Sequence, residues 1–515
     1  MKETERAQID GLIFGLGTLV LLCVIVPIIF APTATTSLIE TLFDTLTQEL
    51  GILYVILAVV VTVFLVYVGL SPYGTIRLGS GPTRYSNFSW AAMLFCAGIG
   101  ASLLYWGAAE WVFYYTAPPF GVEPRSDEAI GWAASYGLFH WGPVGWAFYC
   151  LPTVALGLSY HRARVPVLRL SAACAPVLGG RTDHLPGRLI DLLFIVGLLG
   201  TAATGLGLGT SVVSSALHRL AGIEDGFLLQ SAIVILATGL IAISVYRGLD
   251  EGIKILSNVN ALLALGLILY VAMVGPTSFI LEMGMTAIGT VVQNFPRMIT
   301  WTDPLQTAPF VESWTIFYWA WWLALGPFIG MFVCKISEGR TVRNVIFGML
   351  GWGSLGCALF FIVLGNYALF LELEGTYPVV AETLDVGPSQ ALAGIVARLP
   401  GGSFWLAYLA VVGLIFIATT YDSASYTLAA GATRSLREGQ DPARWHRVFW
   451  ALSLGVLPLS LLFLGGLKVL QTASIVASVP LLGVYLLLVV SILRRLREPA
   501  AKNPEAGSQD PAHAP

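Results

Sequence analysis

The chain has 515 residues, of which 56% are hydrophobic and only 11% are charged, with a net charge of -3. Soluble domains carry about 25% charged residues, whereas apolar runs of about 20 residues, each long enough to cross a bilayer, recur here from end to end. This composition excludes a sizeable soluble domain and gives no reason to expect a nucleic-acid partner. It predicts an all-α polytopic membrane protein.

The hydropathy pattern predicts twelve transmembrane helices. In chain order they cover residues 11–30, 52–72, 88–116, 130–160, 188–216, 227–246, 255–275, 313–334, 344–370, 403–433, 447–466 and 469–493. The first apolar run is long enough to span a bilayer, and no cleavage signal is apparent before it. Residues 1–10 are therefore interpreted as a cytoplasmic N-terminus. Residues 494–515, rich in Pro, Ala and Gly, are interpreted as a short, disordered cytoplasmic tail.

Positive charge is distributed unevenly between the two sides of the predicted membrane. With the N-terminus placed inside, the 27 Lys and Arg residues lie on the cytoplasmic side except Arg125, Arg219, Arg297, Arg398 and Lys468. Cytoplasmic loops of membrane proteins carry an excess of Lys and Arg. The distribution therefore predicts that both termini are cytoplasmic and that the number of spans is even.

Two long segments, at about 276–312 and 371–402, lie on the outer side of the predicted membrane. The first contains the run Ser278-Phe-Ile-Leu-Glu-Met-Gly-Met. This run is compatible with an amphipathic helix lying on the outer surface and equally with a plain loop.

Two predicted spans carry residues that disturb a helical backbone. The third contains Cys96-Ala-Gly98-Ile-Gly100-Ala-Ser102, and the eighth contains Gly326-Pro327-Phe-Ile-Gly330. Gly and Pro release carbonyls from the helical ladder, and such groups must face protein or a polar cavity within a membrane. Because these spans are five apart, they predict two five-helix repeats, spans 3–7 and 8–12, each opening with a broken helix. Close packing of small residues is the alternative.

Aromatic residues are concentrated in spans 4 and 8. The run from Ser313 to Trp322 contains four Trp and one Tyr, and span 4 places Trp141, Trp146 and Tyr149 on one face of a helix. Two aromatic faces could enclose a small cation, because each ring attracts it by about 0.5–1 kcal/mol when exposed and about 2 kcal/mol or more when desolvated. Interface anchoring and aromatic core packing are the alternatives.

Span 10 contains hydroxyl groups suited to a small hard cation. Its sequence includes Phe416-Ile-Ala-Thr419-Thr420-Tyr-Asp422, and sodium-like cations take oxygen ligands. The alternative is that each Thr hydroxyl bonds back to its own helix. Three titratable residues within spans, Asp422, Glu110 and His140, are compatible with either a functional or a structural role.

These segments, taken in order, closely resemble the betaine/carnitine/choline transporter family. The resemblance is carried by Trp314-Thr-Ile-Phe-Tyr-Trp-Ala-Trp-Trp322, Ile336-Ser-Glu-Gly-Arg340, Phe139-His-Trp141, Gly248-Leu-Asp-Glu-Gly and Asp422-Ser-Ala-Ser. It implies the inverted-repeat fold of the neurotransmitter-sodium symporters, a bacterial inner-membrane location and commonly a homotrimer. The implied parts are two peripheral helices over 11–87, repeats over 88–275 and 313–493, and an outer helix and loop over 276–312.

The resemblance also implies two kinds of binding site. Trp141, Trp146, Tyr149 and Trp322 match the family's aromatic box for a cationic head group. The first sodium site is matched by Phe416, Thr419, Thr420 and the backbone oxygens of Cys96 and Ile99. Residues matching the family's proposed second sodium site are Thr201 and Phe328, although Gly197 stands where a further hydroxyl is expected.

Departures from the family pattern bear on the substrate. The glycine-rich run of span 3, which would flank the substrate's anionic end, reads Gly98-Ile-Gly100-Ala-Ser102, and Ser102 argues against choline because choline carriers tend to place Asp there. Leu325 stands where many members have a further Trp, so one aromatic contact is lost. Ile329 does not follow the pattern of the sodium-independent carnitine exchangers, which favours sodium coupling.

The sequence thus predicts a secondary active transporter that imports a betaine-like zwitterion or a quaternary ammonium or sulfonium compound by sodium symport. No other cofactor is expected. The alternatives are a sodium-independent or proton-coupled carrier or exchanger of carnitine, choline, ectoine or taurine, and a non-transporting sensor with a transporter fold. An enzyme is not expected, because no nucleophile–base pair or metal cluster stands out in the sequence.

Overall fold

The computed structural model describes residues 8–247, 250–305, 308–434, 441–464 and 467–498. In this part of the chain the regular structure is helical, and the two extended pairings are the isolated bridges Ile9–Thr433 and Arg77–Thr341. The predicted all-α polytopic fold is confirmed. The predicted N-terminus over 1–7, the start of the Gly248 segment and the tail beyond 498 lie outside the described residues.

Seventeen helices are used below, numbered in chain order. The first nine are α1 (Gly11–Phe30), α2 (Pro32–Leu70), α3 (Asn87–Ala97), α4 (Ala101–Thr116), α5 (Asp127–His140), α6 (Pro143–Gly157), α7 (Leu185–Ala221), α8 (Phe227–Arg247) and α9 (Asp250–Val274). The others are α10 (Thr277–Thr300), α11 (Phe317–Ile336), α12 (Val342–Leu373), α13 (Pro388–Ala397), α14 (Gly402–Gly431), α15 (Arg444–Leu464), α16 (Leu467–Ser478) and α17 (Leu481–Arg497).

The twelve predicted spans all coincide with helices, although the predicted number of membrane crossings is not confirmed. Among the described residues, nine helices are long and apolar enough to cross a membrane, or eleven if each of two bent helix pairs counts as one span. The remaining predicted span, 130–160, is divided at Trp141-Gly142 into α5 and α6, which have 14 and 15 residues.

The predicted helix breaks have different outcomes. The chain bends by 61° between α3 and α4 at Gly98–Gly100, as predicted. The predicted break at Gly326-Pro327 is wrong, because α11 runs through Pro327 without interruption. A proline removes one helical hydrogen bond, and packing by neighbouring helices can offset this loss in a membrane protein. A bend of 50° between α16 and α17, next to Pro480, was not predicted.

The segment after span 7 is the helix α10, so of the two interpretations the helical one is confirmed. Its buried positions include Ile280, Gly284, Ala287 and Val291, which recur at helical spacing on one face. α10 contacts α5 and α12, and a Cβ at Gly284 would lie 2.6 Å from Cγ2 of Ile362 in α12. The second long segment, 371–402, contains α13 and shorter turns.

Two helix pairings position the candidate sites. α11 packs along α6, and α14 packs along α7, while α7 also contacts α4 and α11. α7, which contacts both α11 and α14, therefore connects an aromatic helix with the hydroxyl-bearing helix. The inverted symmetry of the two repeats stays a prediction.

Candidate functional site

Four rings predicted to face a common ligand lie together in the interior. The ring centroids are 5.4 Å apart for Trp146 and Tyr149, 5.7 Å for Tyr149 and Trp322, and 4.7 Å for Trp322 and Trp141. Neighbouring rings in this series are nearly perpendicular, at 72° to 82°. All four are buried. We call these four residues the aromatic cluster.

The junction between α5 and α6 holds the two halves of the aromatic cluster together. α5 ends at His140 with Trp141 as its C-cap, Gly142 is extended, and Pro143 opens α6, where its missing N–H costs nothing. The prediction that Trp141 shares one helical face with Trp146 and Tyr149 is therefore wrong, because the helix is interrupted between them. The indole N–H of Trp322 donates to the carbonyl of His140 at 2.9 Å. This carbonyl lies in the last turn of α5, where helical partners are lacking. A junction carbonyl thus fixes α11 against α5.

Glycines allow the rings to approach the backbone. A Cβ at Gly145 would lie 2.9 Å from Nε1 of Trp322. A Cβ at Gly98 would lie 2.9 Å from both Cζ2 of Trp146 and Sγ of Cys357. Contacts this short force a neighbour to move, so the α3–α4 bend directly touches the aromatic cluster through Gly98.

The bend also exposes polar backbone beside the rings. Gly100 is extended and precedes α4, and the N–H of Ile99 donates to the carbonyl of Cys96 at 3.0 Å. Ser102 is half-buried in the first turn of α4, where backbone N–H groups have no helical partner. Leu325 and Phe328 are half-buried on α11.

The candidate sodium ligands of α14 lie near the bend but are only partly assembled. A Cβ at Gly209 of α7 would lie 2.9 Å from Cβ of Ala101 and 3.1 Å from Cγ1 of Ile417. The start of α4 and the turn Phe416–Thr420 of α14 therefore contact the same glycine. The hydroxyl of Thr419 donates to Ile415 O at 2.9 Å and to Phe416 O at 3.3 Å.

This arrangement of Thr419 is the back-bonded alternative, but a hydroxyl that donates its proton keeps its lone pairs available to a cation. Thr420 is half-buried beside it. The sodium assignment of Cys96, Ile99, Phe416 and the two threonines stays a prediction.

The possible second ion site is less developed. The hydroxyl of Thr201 is buried and donates to Gly197 O at 2.8 Å. A Cβ at Gly197 would lie 3.5 Å from Cβ of Ala324, one helical turn before Phe328. The helices that carry Thr201 and Phe328 therefore touch, but Thr201 is bonded within its own helix.

A buried carboxylate beside the aromatic cluster was not assigned a role from the sequence. Glu110 of α4 accepts hydrogen bonds from Nε1 of Trp141 at 3.1 Å, from the hydroxyl of Tyr114 at 2.5 Å and from the hydroxyl of Tyr318. Three donors from three helices therefore converge on one side chain. The hydrogen bond from Nε1 of Trp141 to Glu110 therefore fixes the orientation of this ring.

His140 belongs to the same network. Its Nδ1 lies 2.9 Å from the Tyr114 hydroxyl, and its Nε2 lies 3.2 Å from Oγ1 of Thr315. The spacing of Glu110 and Tyr114, four residues apart on one helix, is the one sequence signal that could have indicated this network. Asp422 instead pairs with Arg447 at 3.3 Å and joins α14 to α15.

Comparison with known proteins shows which family the chain is similar to. The family model described as BCCT, betaine/carnitine/choline family transporter, matches residues 12–501. An uncharacterized transporter, YeaV of Escherichia coli K12, is 37% identical over 442 residues, covering 85% of this chain and 92% of its own length.

Two relatives carry names that state a substrate. A carnitine transporter of Acinetobacter baumannii is 34% identical, covering 88% of this chain and 82% of its own length. A high-affinity choline transport protein of Escherichia coli K12 is 32% identical, covering 99% and 75%. The relatives are multi-pass transporters and not enzymes. This chain therefore belongs to the betaine/carnitine/choline family of transporters.

Proposed function

We propose that this transporter imports a betaine-like zwitterion with a quaternary ammonium or sulfonium head, by sodium symport and alternating access. The observation that carries the proposal is the aromatic cluster, whose rings come from the end of α5, from α6 and from α11 and meet beside the backbone of the α3–α4 bend. The rings would bind the cationic end of a small molecule, and the backbone N–H groups at the bend would bind its anionic end.

The cationic end suits the rings. A methylated ammonium cannot donate strong hydrogen bonds, so it is recognised by ring faces and by shape. Three desolvated rings would together supply several kcal/mol, enough for micromolar to millimolar binding after ordering costs. The carboxylate of Glu110 lies behind Trp141 rather than in place of a ring, so it supports cation binding without forming a direct ion pair.

The anionic end suits the start of α4. Free N–H groups and the positive end of the helix dipole favour an anion there. Gly100 has no side chain and Ser102 has a small one, so these residues leave the backbone N–H groups accessible to a ligand. Choline lacks an anionic group and would leave these N–H groups unpaired, which favours a zwitterion such as carnitine or glycine betaine. The name of the Acinetobacter relative supports the same class.

Sodium coupling is supported by the hydroxyls of α14 near the bend. Binding at this place would couple the ion to the geometry of α3–α4 and hence to the substrate. Sodium-independent or proton-coupled exchange is the alternative, because Thr419 and Thr201 both bond to their own helices.

The test is uptake into proteoliposomes that contain the purified full chain. Labelled carnitine, glycine betaine and choline are each supplied with an inward sodium gradient or with potassium in its place. We expect sodium-dependent accumulation, greater for a zwitterion than for choline. Uptake undiminished in potassium would overturn sodium coupling, and failure to accumulate any of the three substrates would favour a sensor.

A matched pair of variants addresses the ion site. Thr419→Val removes the hydroxyl with little change of shape, and we expect it to raise the sodium concentration needed for half-maximal uptake by about tenfold or more. Thr427→Val is the control, because Thr427 lies on the same helix and has the same bond, to Ser423 O at 2.9 Å. Equal effects of the two substitutions would contradict the assignment.

We also propose a homotrimer with both termini in the cytoplasm of a bacterial cell. The charge asymmetry between loops supports the orientation. Protease removal of a C-terminal tag from inverted but not from intact vesicles tests the orientation. The mass of the detergent-solubilised protein by light scattering tests the trimer.

A further inference from the structure

A groove lies between α3 and the start of α12. Its walls are residues 87–95 of α3 and residues 340–352, and its volume is about 780 Å³. Three aromatic side chains on these walls are exposed: Phe88 at 84%, Trp352 at 46% and Phe347 at 38%. On a helix that crosses a membrane, such exposure indicates contact with lipid.

One end of the groove carries two arginines. Arg340 is 3% exposed, lies 4.2 Å from the ring centroid of Trp90, and donates to Tyr85 O and Asn87 Oδ1 at 2.9 Å each. Its Nε is buried and has no hydrogen-bond partner. Arg343 is exposed and donates to Gly69 O at 2.7 Å.

Neither arginine is neutralised by the protein. Among the described residues, no carboxylate lies within 4.0 Å of Arg340 or Arg343. The sequence from Ser71 to Phe95 contains no Asp or Glu, and neither does the sequence from Gly339 to Leu371. A buried cation without an opposite charge is costly, so an anion supplied from outside would stabilise this end of the groove.

We propose that the groove binds a phospholipid with an anionic head group from the cytoplasmic leaflet. The phosphate lies against the exposed side chain of Arg343, at the end of the groove that Arg340 makes positive, and an acyl chain follows Phe88 and Trp352. Basic pockets between transmembrane helices on the cytoplasmic side are suited to anionic lipids, which are concentrated in that leaflet. The positive-charge rule places Arg340 and Arg343 on this side.

Such a lipid would contact two walls of the groove that belong to different helices, α3 and α12. α3 is the first half of the bent span, and the bend at Gly98–Gly100 separates it from α4. A head group held jointly by residues of both walls would bias the angle of α3 relative to α12. The binding claim does not depend on the proposed substrate or coupling ion.

The test is native mass spectrometry of the purified full chain in detergent, titrated with phosphatidylglycerol or phosphatidylethanolamine. We expect phosphatidylglycerol to bind about fivefold more tightly or better. Arg343→Gln should remove this preference. Ala92→Trp, which places a large side chain on the α3 wall of the groove, should reduce the binding of phosphatidylglycerol by at least the same factor.

The control is Arg494→Gln. Arg494 is also exposed and also donates to a backbone carbonyl, Pro176 O at 2.8 Å, but it lies outside the groove. It should leave the lipid preference unchanged. Equal binding of the two lipids, equal loss in Arg494→Gln, or unchanged binding in Ala92→Trp would overturn the proposal. So would a change of oligomeric mass in Ala92→Trp, since a second copy of the chain would then be the occupant.

Discussion

The helix pair α3–α4 and the helix α11 open the two predicted repeats and share a glycine-rich sequence, yet they have different shapes. The first bends by 61°, whereas the second continues through Gly326-Pro327. Gly100 takes an extended conformation that ends the ladder. Pro327 cannot donate to Leu323 O, but this costs one hydrogen bond only. The neighbouring Gly326 is packed against the carbonyl of Phe148, and this carbonyl accepts a hydrogen bond from the hydroxyl of Tyr485 at 2.9 Å.

The difference divides the binding chemistry between the two helices. A bent helix exposes backbone N–H and carbonyl groups that can bind ions. A continuous helix keeps side chains in register, as the stacking of Tyr318 and Trp322 demonstrates, with centroids 5.6 Å apart at 24°. A break just before Pro327 would endanger this register. In the proposed mode of binding, the backbone groups of α3–α4 therefore bind the ion and the anionic end of the substrate, and the rings of α11 bind its cationic end.

The largest expected effect on uptake comes from a substitution at the glycine-rich bend between α3 and α4. Gly98→Ala places a methyl group 2.9 Å from Trp146 and Cys357. Overpacking of this kind costs about 1–3 kcal/mol, and we expect substrate uptake to fall by up to about 100-fold. The measurement is the initial rate of uptake per folded transporter, with the amount of folded protein taken from size-exclusion chromatography.

Pro327→Ala is the matched comparison in α11. It restores the missing N–H to a helix that is already continuous, so we expect less than about a threefold change in uptake. If Pro327→Ala impaired uptake as strongly as Gly98→Ala, the two sites would be equivalent and the division of chemistry would fail.

The next largest effect concerns the ring side. Trp322→Leu removes a desolvated ring worth about 2 kcal/mol and the hydrogen bond to His140 O. We expect substrate affinity, measured by the quenching of tryptophan fluorescence, to fall by about 30-fold. Trp445→Leu is the control, because Trp445 is an exposed ring at the start of α15. Unchanged affinity in Trp322→Leu would remove the aromatic cluster from substrate binding.

A smaller effect on affinity is expected from a substitution of Glu110, which contacts Trp141 of the aromatic cluster. Glu110→Gln keeps the shape but replaces one acceptor oxygen by an amide group that cannot accept. Either Tyr114, which is bonded to Oε1, or Trp141 and Tyr318, which are bonded to Oε2, then lose their acceptor. An unpaired buried donor costs about 1–3 kcal/mol, part of which appears as misorientation of Trp141. We expect affinity for the zwitterion to fall by about tenfold.

Glu128→Gln provides the matched control for this substitution. Glu128 also accepts from an indole N–H, that of Trp132 at 3.4 Å, but it is exposed. It should leave affinity unchanged. If Glu110→Gln instead lowered the melting temperature alone, Glu110 would be a structural residue without influence on the ligand.

The sequence predicted the positions of the helices and the members of the aromatic cluster because both depend on local patterns. The length of an apolar run predicts a membrane span. The three-residue spacing of Trp146 and Tyr149 predicts that both rings lie on one face of a helix, where they contact each other. The break at Gly98–Gly100 was also predictable. Glycine loses more conformational freedom in a helix than any other residue, and two glycines in three residues therefore weaken the helix at this point.

What the sequence did not predict depends on contacts between distant segments. Pro327 resembles a helix breaker until its neighbours are known, since the offsetting packing comes from Phe148 and Tyr485. Glu110 meets Tyr318, which is 208 positions away in the chain. No spacing rule relates these two residues, so a lone carboxylate in an apolar helix could be noticed but its role could not be assigned.

The smallest expected effect on affinity comes from adding a further ring to α11. Leu325→Trp adds an aromatic face to α11 at a half-buried position three residues beyond Trp322. A partly exposed ring contributes about 0.5–1 kcal/mol to cation binding, so affinity for a fully methylated ammonium should rise by about threefold, and less for a bulkier zwitterion. Titration of both ligands by fluorescence measures the change. Leu325→Met, which conserves volume without a ring, should leave both affinities unchanged. An equal gain from Met would assign the effect to packing, and a loss with Trp alone would mean that Leu325 leaves room for a larger substrate.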